Sequence, residues 1–460
     1  MKTIFYRGIR REKRPLPDGY LFTNRDLTRL IAPLVVEQIL AVTVGMVDPM
    51  MVPSAGEPAT SGVSLVDMIN NLLINLFAAV STGGAVVSSQ FLGQKKRGRA
   101  CEAANQLILV TGLISLVVMV LSIVFRKGLL TLLYGNIEPD VMENALIYLV
   151  ICAFSYPFLA VYNSCAALFR SMGNSKISME AAIVMNLINI VGDGVLIFGF
   201  HWGAAGAATA TLVSRAVACV ILLRRLHDPA LEIHVRLKGA KFRGRLVKSI
   251  LNIGIPGGIE NSIFQLGRVL VVSIIAMFGT TQIAANAVAN NLDSMGVLPG
   301  QAMNLAMITV IGRCVGAGDF PQAEYYAKKM MKITYLINGL CCAGVIFTMP
   351  LTLMLYGLSE ETLALAAVLV LIHNGFAILL WPASFTLPNV LRAANDVRFP
   401  MCVSIVSMIT FRLGIGYILA ENFGMGAVGV WAAMVLDWLV RVLCFAGRYR
   451  GGKWKRFSAA

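Results

Sequence analysis

The sequence predicts an all-α polytopic membrane protein with twelve transmembrane helices in two six-helix lobes related as a parallel repeat. Three observations carry this prediction: an apolar composition too high for a water-facing protein, a loop-to-loop alternation of basic residues, and an internal repeat at one nearly fixed offset. Of 460 residues, 57% are hydrophobic and 14% charged, with a mean hydropathy of +0.74. An average soluble domain has roughly 45–50% and 25%. Runs such as 107–125 carry no charge and are long enough to cross a hydrocarbon core about 30 Å thick.

In chain order the apolar runs fall at 30–52, 63–91, 106–125, 145–169, 179–199 and 203–223, and after a long polar segment at 250–278, 284–310, 333–355, 363–388, 401–420 and 427–445. The predicted organisation is a basic cytoplasmic segment (1–29), an amino-terminal lobe (30–223), a cytoplasmic linker loop (224–249), a carboxy-terminal lobe (250–447) and a basic cytoplasmic tail (448–460). The amino-terminal segment is polar and basic, and the run that follows contains Glu37 and Asp48, so a cleaved signal peptide does not fit.

Lysine and arginine exceed aspartate and glutamate by 15. In a soluble chain that excess would suggest nucleic acid, but here its placement decides. Of the 39 basic residues, 33 lie in the termini and every second loop, and only Arg126 and Lys127 lie in the alternate loops. Both termini are therefore expected on the cytoplasmic side of a plasma (inner) membrane, with the bilayer as partner, no nucleic acid, and a monomeric protein. Arg215, Arg268, Arg412 and Arg441 fall within spans. The nine cysteines lie mostly in apolar runs without a Cys-x-x-Cys pair, and read as small core residues.

Internal similarity fixes the relation between the halves. LLTLLYG ending at Gly135 recurs as LTLMLYG ending at Gly357, and Leu168-Phe169-Arg170 recurs at the same separation as Val390-Leu391-Arg392. Pro33 and Glu37 recur as Pro256 and Glu260, and Gly203 and Gly206 as Gly426 and Gly429, at a separation only one position longer. Six spans per half make the repeat parallel, the arrangement of a secondary transporter with two bundles facing a central cavity.

The residues resemble the multidrug and toxic compound extrusion (MATE) family along nearly the whole chain. The likeness rests on VDPMMV at 47–52, LFRSMGNSK at 168–176, NLINIVGDGVLIFG at 186–199, GAAGAATAT at 203–211, GIPGGIE at 254–260, VGAGD at 315–319 and LRAANDVRFP at 391–400. The resemblance implies a cation-coupled antiporter that exports bulky, cationic or amphiphilic small molecules such as drugs and toxic compounds. A polyprenyl-linked saccharide or lipid flippase of the same architecture is the alternative. Neither a His-Glu-x-x-His set nor a Gly-x-Ser-x-Gly elbow is present, and VGAGD lacks the ending of a phosphate loop, so the protein is expected to be no enzyme and to use no nucleotide or other cofactor, drawing on an H⁺ or Na⁺ gradient.

Ionisable residues inside spans are costly and mark function. At 1.5 Å per residue, Asp48 and Asp193 lie about 27 and 21 Å from the cytoplasmic ends of their helices, both in the outer half of the bilayer. Asn186, Asn189 and Asp193 recur at i, i+3 and i+7 and form a polar stripe, with Thr211 about 12 Å down from the outer end of the next helix. Such oxygens suit a cation, with a proton competing for the carboxylates; no metal beyond Na⁺ is expected. The resemblance implies coupling roles for Asp48, Asn189, Asp193 and Thr211, and a bend at Pro33. Glu260, about 15 Å into its helix, its repeat mate Glu37 and Asn186 are placed as substrate or proton groups, the alternative for Glu260 being an ion pair with a basic residue such as Arg268 or Arg412. The family places cation-binding carboxylates near Phe264 and Trp381 in another branch, so this chain departs from it there. His373 is expected in an interhelical hydrogen bond, and Pro33, Pro49, Pro53, Pro256, Pro350 and Pro388 at breaks or bends.

Overall fold

A computed structural model describes residues 19–135, 138–236 and 241–457, apart from the side chains of residues 44–50 and 54–55. The first half contains α1 (Asn24–Met51), α2 (Glu57–Gly93), α3 (Arg97–Val124), the short α4 (Arg126–Tyr134), α5 (Pro139–Ser171), α6 (Ser175–Asp193), which continues as a π-helical stretch to Gly199, and α7 (Gly203–Leu226). The second contains α8 (Gly244–Ala276), α9 (Thr280–Gly316), α10 (Phe320–Met354), α11 (Glu360–Trp381), a π-helical stretch (Pro382–Thr386) leading into α12 (Leu387–Ala393), α13 (Arg398–Ser407) with π-helical stretches at Met408–Ile415 and Ile418–Asn422, and α14 (Gly426–Arg450). Beyond α1, eleven of these continuous helical rods are long and apolar enough to span a bilayer, and the described residues are otherwise turns and loops. The protein is thus an all-α, multi-pass membrane protein.

The repeat is visible in detail. Outward faces of α3 and α10 expose Leu113, Val117 and Val124 in one and Leu336, Leu340 and Phe347 in the other, three places that match one to one at the repeat offset. These faces belong against lipid, where apolar exposure costs nothing. The π-helical stretch Gly194–Gly199 likewise has its counterpart at Ile418–Asn422.

Packing between helices in lipid needs close backbone approach, and small residues supply it. Gly83 on α2 lies against the backbone of Ile250 and Gly254 on α8. Gly93 lies against Arg313, and Gly316 against Gln90, so that any Cβ there would collide with main chain. Through these contacts the halves meet at the ends carrying the basic loops. Gln90 adds hydrogen bonds to the Ala393 carbonyl (2.9 Å) and Asn395, and Arg313 donates to the Ser171 carbonyl (2.9 Å).

The first helix of each half reaches the opposite half: α8 lies along α2, while α1 lies along α6 of its own half and, at its beginning, also along α9. Phe22, Leu27, Leu30, Ile31 and Leu34 are buried in one cluster with Met303, Met307, Tyr326 and Met330. Thr23 starts α1 with a reciprocal cap, accepting from the Asp26 amide (3.2 Å) while its own amide donates to Asp26 Oδ2 (2.9 Å). At the other terminus Trp454 is buried against Phe320 and Tyr449, so much of the basic tail is docked.

The prolines expected at breaks or bends fall in two groups. Pro33, Pro256 and Pro350 lie inside α1, α8 and α10 without breaking the helical run. The break in the tenth span begins instead at Pro382, where the hydrogen-bonding pattern widens before Pro388. Pro53 opens a short 3₁₀ turn, and the Pro49 side chain lies outside the described residues. VGAGD forms a turn: Gly318 has φ +73°, and Asp319 caps α10 by accepting from the Gln322 amide at 3.0 Å.

Candidate functional site

Residues of α6 and α7 form the first polar group. Gly192 faces Ala210 and Gly206 faces Leu196, so the two helices approach closely enough for side chains at one level to meet. Asn186, Asn189 and Asp193 are buried on one face of α6, as their spacing requires. Asn189 Nδ2 donates to Asp193 Oδ2 (3.3 Å) and to Thr211 Oγ1 (3.4 Å). Asn189, Asp193 and Thr211 are therefore brought together. The backbone of Asp48 lies near the end of α1, and its side chain is outside the described residues.

A second group in the same half was not anticipated. Asp67 on α2 accepts from Asn70 (3.2 Å) and the Tyr148 hydroxyl (3.1 Å), Tyr156 donates to Asn70 (2.8 Å), and Arg215 donates to Ser155 (2.7 Å). Its members lie on α2, α5 and α7, so the spacing along any one helix does not show that they meet.

Glu37 and Glu260 are both held by arginines. Arg170 Nη1 lies 3.2 Å from Glu37 Oε1, with Ser178 donating to Oε2 at 3.0 Å. Arg392 Nη2 lies 2.7 Å from both oxygens of Glu260. This corrects the expected partners: Glu260 pairs with neither Arg268 nor Arg412. The cause is the repeat, since Arg170 and Arg392 end equivalent helices beside equivalent glutamates. Each carboxylate is largely buried beside one guanidinium, so removing either partner would leave a buried charge unmatched.

Between the halves lies a cavity of about 570 Å³, bounded by Gln38 and Asn75 on one side and by residues of α8, α9, α11, α12 and α14 on the other. Its carboxy-terminal wall is basic and aromatic. Asp437, fully buried on α14, accepts from Ser407 (2.5 Å) and Arg441 Nε (3.0 Å) on one oxygen, while Arg412 Nε is 3.3 Å from the other. Phe264 lies under both guanidiniums, 5.2 Å from Arg412 and 5.5 Å from Arg441. Trp381 stacks on Phe385 at 5.1 Å, and Phe385 in turn faces Arg441. Phe264 thus packs directly against cations of the chain itself, and Trp381 reaches them only through Phe385.

Asp293 is the acid facing this cavity without an arginine. Asn374 donates to its Oδ1 at 2.5 Å, and its Oδ2 has no hydrogen-bond partner among the described residues. His373 Nδ1 lies 3.5 Å from Oδ1 and makes no hydrogen bond; the ring packs edge-on against Trp431 and Trp438. The interhelical hydrogen bond expected of His373 is therefore replaced by aromatic packing. Asp293 is the repeat mate of Asn70, so the repeat offset alone marked it as an acid at a polar place.

A MatE family model matches the chain twice, at residues 33–195 and 256–418, reproducing the internal repeat. Among curated relatives, an uncharacterized transporter of Bacillus subtilis, YisQ, is 27% identical over 93% of this chain and 94% of its own length. A probable multidrug resistance protein NorM of Thermotoga maritima is 25% identical over 94% and 93%. Among solved structures, the outward-facing conformation of a multidrug resistance MATE family transporter superposes with a TM-score of 0.87 at 19% identity, covering 94% of this chain and 96% of that one. The fold is that of these transporters.

Proposed function

This chain belongs to the MatE family, and on that premise we propose that it is a secondary active antiporter exporting amphiphilic small molecules, drugs and toxic compounds among them, in exchange for H⁺ or Na⁺. The observation that carries the reading is the cavity between two repeated halves, bounded by both and closed at the basic-loop ends by main-chain contacts at Gly93 and Gly316. Such a cavity opens to one side at a time if the halves rock about it.

In this reading Asn189, Asp193 and Thr211, with Asp48, bind the coupling ion, and Asn186 extends their stripe. The cluster is separate from the cavity's charged wall, so ion binding acts on substrate through helix movement, with α1 and its Pro33 as the connecting element between the halves. Glu37 and Glu260 act in the ion pairs that keep the ends of α5 and α12 in place. The basic loops face the cytoplasm; thiol labelling of single cysteines at Lys241 and Glu360 tests this, with external reagent reaching 360 and not 241.

Purified protein in liposomes, offered a panel of amphiphiles that includes both a cation and an anion, should move at least one of them against its gradient when a proton or sodium gradient is imposed, and stop when that gradient is collapsed. No gradient-driven movement of any amphiphile, charged or neutral, would overturn the antiporter reading. The flippase alternative draws support from the arginines of the cavity wall, and the distinction is made by the experiment below.

A further inference from the structure

A second cavity of about 570 Å³ adjoins the first and is lined mainly by apolar side chains, Met68, Ile69, Leu72, Val269 and Val272 among them. The two share Arg268, Arg412, Gln265, Asn290, Trp431 and Met434, so two guanidiniums stand where an apolar compartment meets a polar one. Each volume lies within the range of pockets that enclose a small ligand.

The charges at this junction are not balanced. Arg441 and Arg412 share the single carboxylate of Asp437, and Arg392 is taken by Glu260. Arg268 is exposed and makes no ion pair or hydrogen bond with a described residue. Asp293 faces the same space, with one oxygen held by Asn374 and no arginine on it. A guanidinium without an ion-pair partner, standing where an apolar cavity meets a polar one, attracts an anion and repels a cation, and its planar fork fits a carboxylate or phosphate. A simple lipophilic cation would have to lie against Arg268 and Arg412.

We propose that the substrate of this site is an amphiphilic anion whose carboxylate or phosphate head sits between Arg268 and Arg412 and whose apolar body occupies the pocket lined by Met68, Leu72 and Val269. This rests on the export reading above and replaces the cationic substrate expected from the resemblance. The head group belongs either to a free amphiphilic acid or to an anionic lipid.

The test uses full-length protein in phosphatidylcholine nanodiscs, with empty nanodiscs as background, and dansyl-labelled undecanoate as the probe. The carboxylate should bind at least about tenfold more tightly than its methyl ester, the cost of one lost charge-assisted contact, and dodecyltrimethylammonium should not displace it. Arg268→Gln should weaken binding by about the same factor, and Arg268→Lys should recover most of it. An unchanged melting temperature shows that the loss is not misfolding, which is expected because Arg268 supports no other side chain. Equal binding of the ester, or undiminished binding to Arg268→Gln, overturns the proposal. Replacing phosphatidylcholine by phosphatidylglycerol separates the sources: Arg268-dependent displacement of the probe identifies a lipid head group, and undisturbed binding identifies a free acid, each with the same anion chemistry. In liposomes, ethidium export that Arg268→Gln leaves intact, together with no undecanoate export, sinks the anionic substrate and leaves the antiporter reading standing. Arg268-dependent binding without any gradient-driven transport does the reverse.

Discussion

In the first half, Asn189 joins Asp193 to Thr211; in the second half the same three places hold Arg412, Gly416 and Met434. Around them, Arg215 corresponds to Trp438, and Asn70 to Asp293. Backbone features survived the duplication: equivalent glutamate–arginine pairs, equivalent lipid-facing faces and equivalent π-helical stretches. Charge did not. Helices that place small oxygen ligands around an aspartate in one half place guanidiniums over aromatic rings in the other. Two lobes of one shape can therefore divide the work of a transporter, one selecting the driving ion and the other the cargo, because buried charge sets what each will accept.

The largest expected effect tests the ion side of this division. Asp193→Asn preserves volume and hydrogen bonding and removes the charge, so it should insert normally and lose gradient-driven export, a drop of about two orders of magnitude or more for a group acting as a unit. Asp48→Asn should match it, and the double variant should be no worse than either alone. Normal efflux with both neutralised, at equal expression, would dissolve the comparison.

On the other side, Asp437→Leu strips the shared partner from Arg412 and Arg441. Breaking a buried pair by removing one member costs about 3–5 kcal/mol, so melting temperature and yield should fall together. At the equivalent place in the first half stands Ser214, whose replacement by alanine should be nearly silent. Equal effects at both places would mean that the arginine wall is not held by Asp437.

A conformational effect comes next. Gly316→Leu drives a side chain into the Gln90 backbone, which should part the basic-loop ends. Spin labels at Lys96 and Lys328 should then move apart; an unchanged distance distribution would show that these glycines do not form the seal.

The smallest effect concerns what the halves share. Glu37→Gln and Glu260→Gln each leave a guanidinium partly unmatched, about 1–3 kcal/mol apiece by melting, with similar residual transport. If Glu260→Gln alone abolishes export, Glu260 is a transport residue and the two pairs are not equivalent.

Apolar runs and basic loops made the twelve helices legible, because lipid demands about 20 apolar residues per crossing and the termini of each crossing carry the sign of their side. The Asn186–Asn189–Asp193 stripe was equally legible, since its members share one helix face. The carboxy-terminal wall was not. Arg412 and Asp437 are distant in sequence, and Arg412 sits in a π-helical stretch that shifts side-chain register away from the ordinary α-helical count. The packing of α8 on α2, and of the beginning of α1 on α9, was hidden too, because an apolar run does not say which helices it packs on. The Glu260–Arg392 pair was within reach: both members recur with Glu37 and Arg170, and a pair in one half implies a pair in the other.

The division of labour itself is tested by measuring substrate affinity and gradient response on the same two proteins, Asp193→Asn and Arg268→Gln, in one liposome assay. Asp193→Asn should bind the amphiphile as the unaltered protein does and export it no faster with a gradient than without. Arg268→Gln should bind it weakly, yet at saturating concentration its export should still accelerate when the gradient is imposed. Loss of substrate affinity in Asp193→Asn together with an intact gradient response would contradict the account.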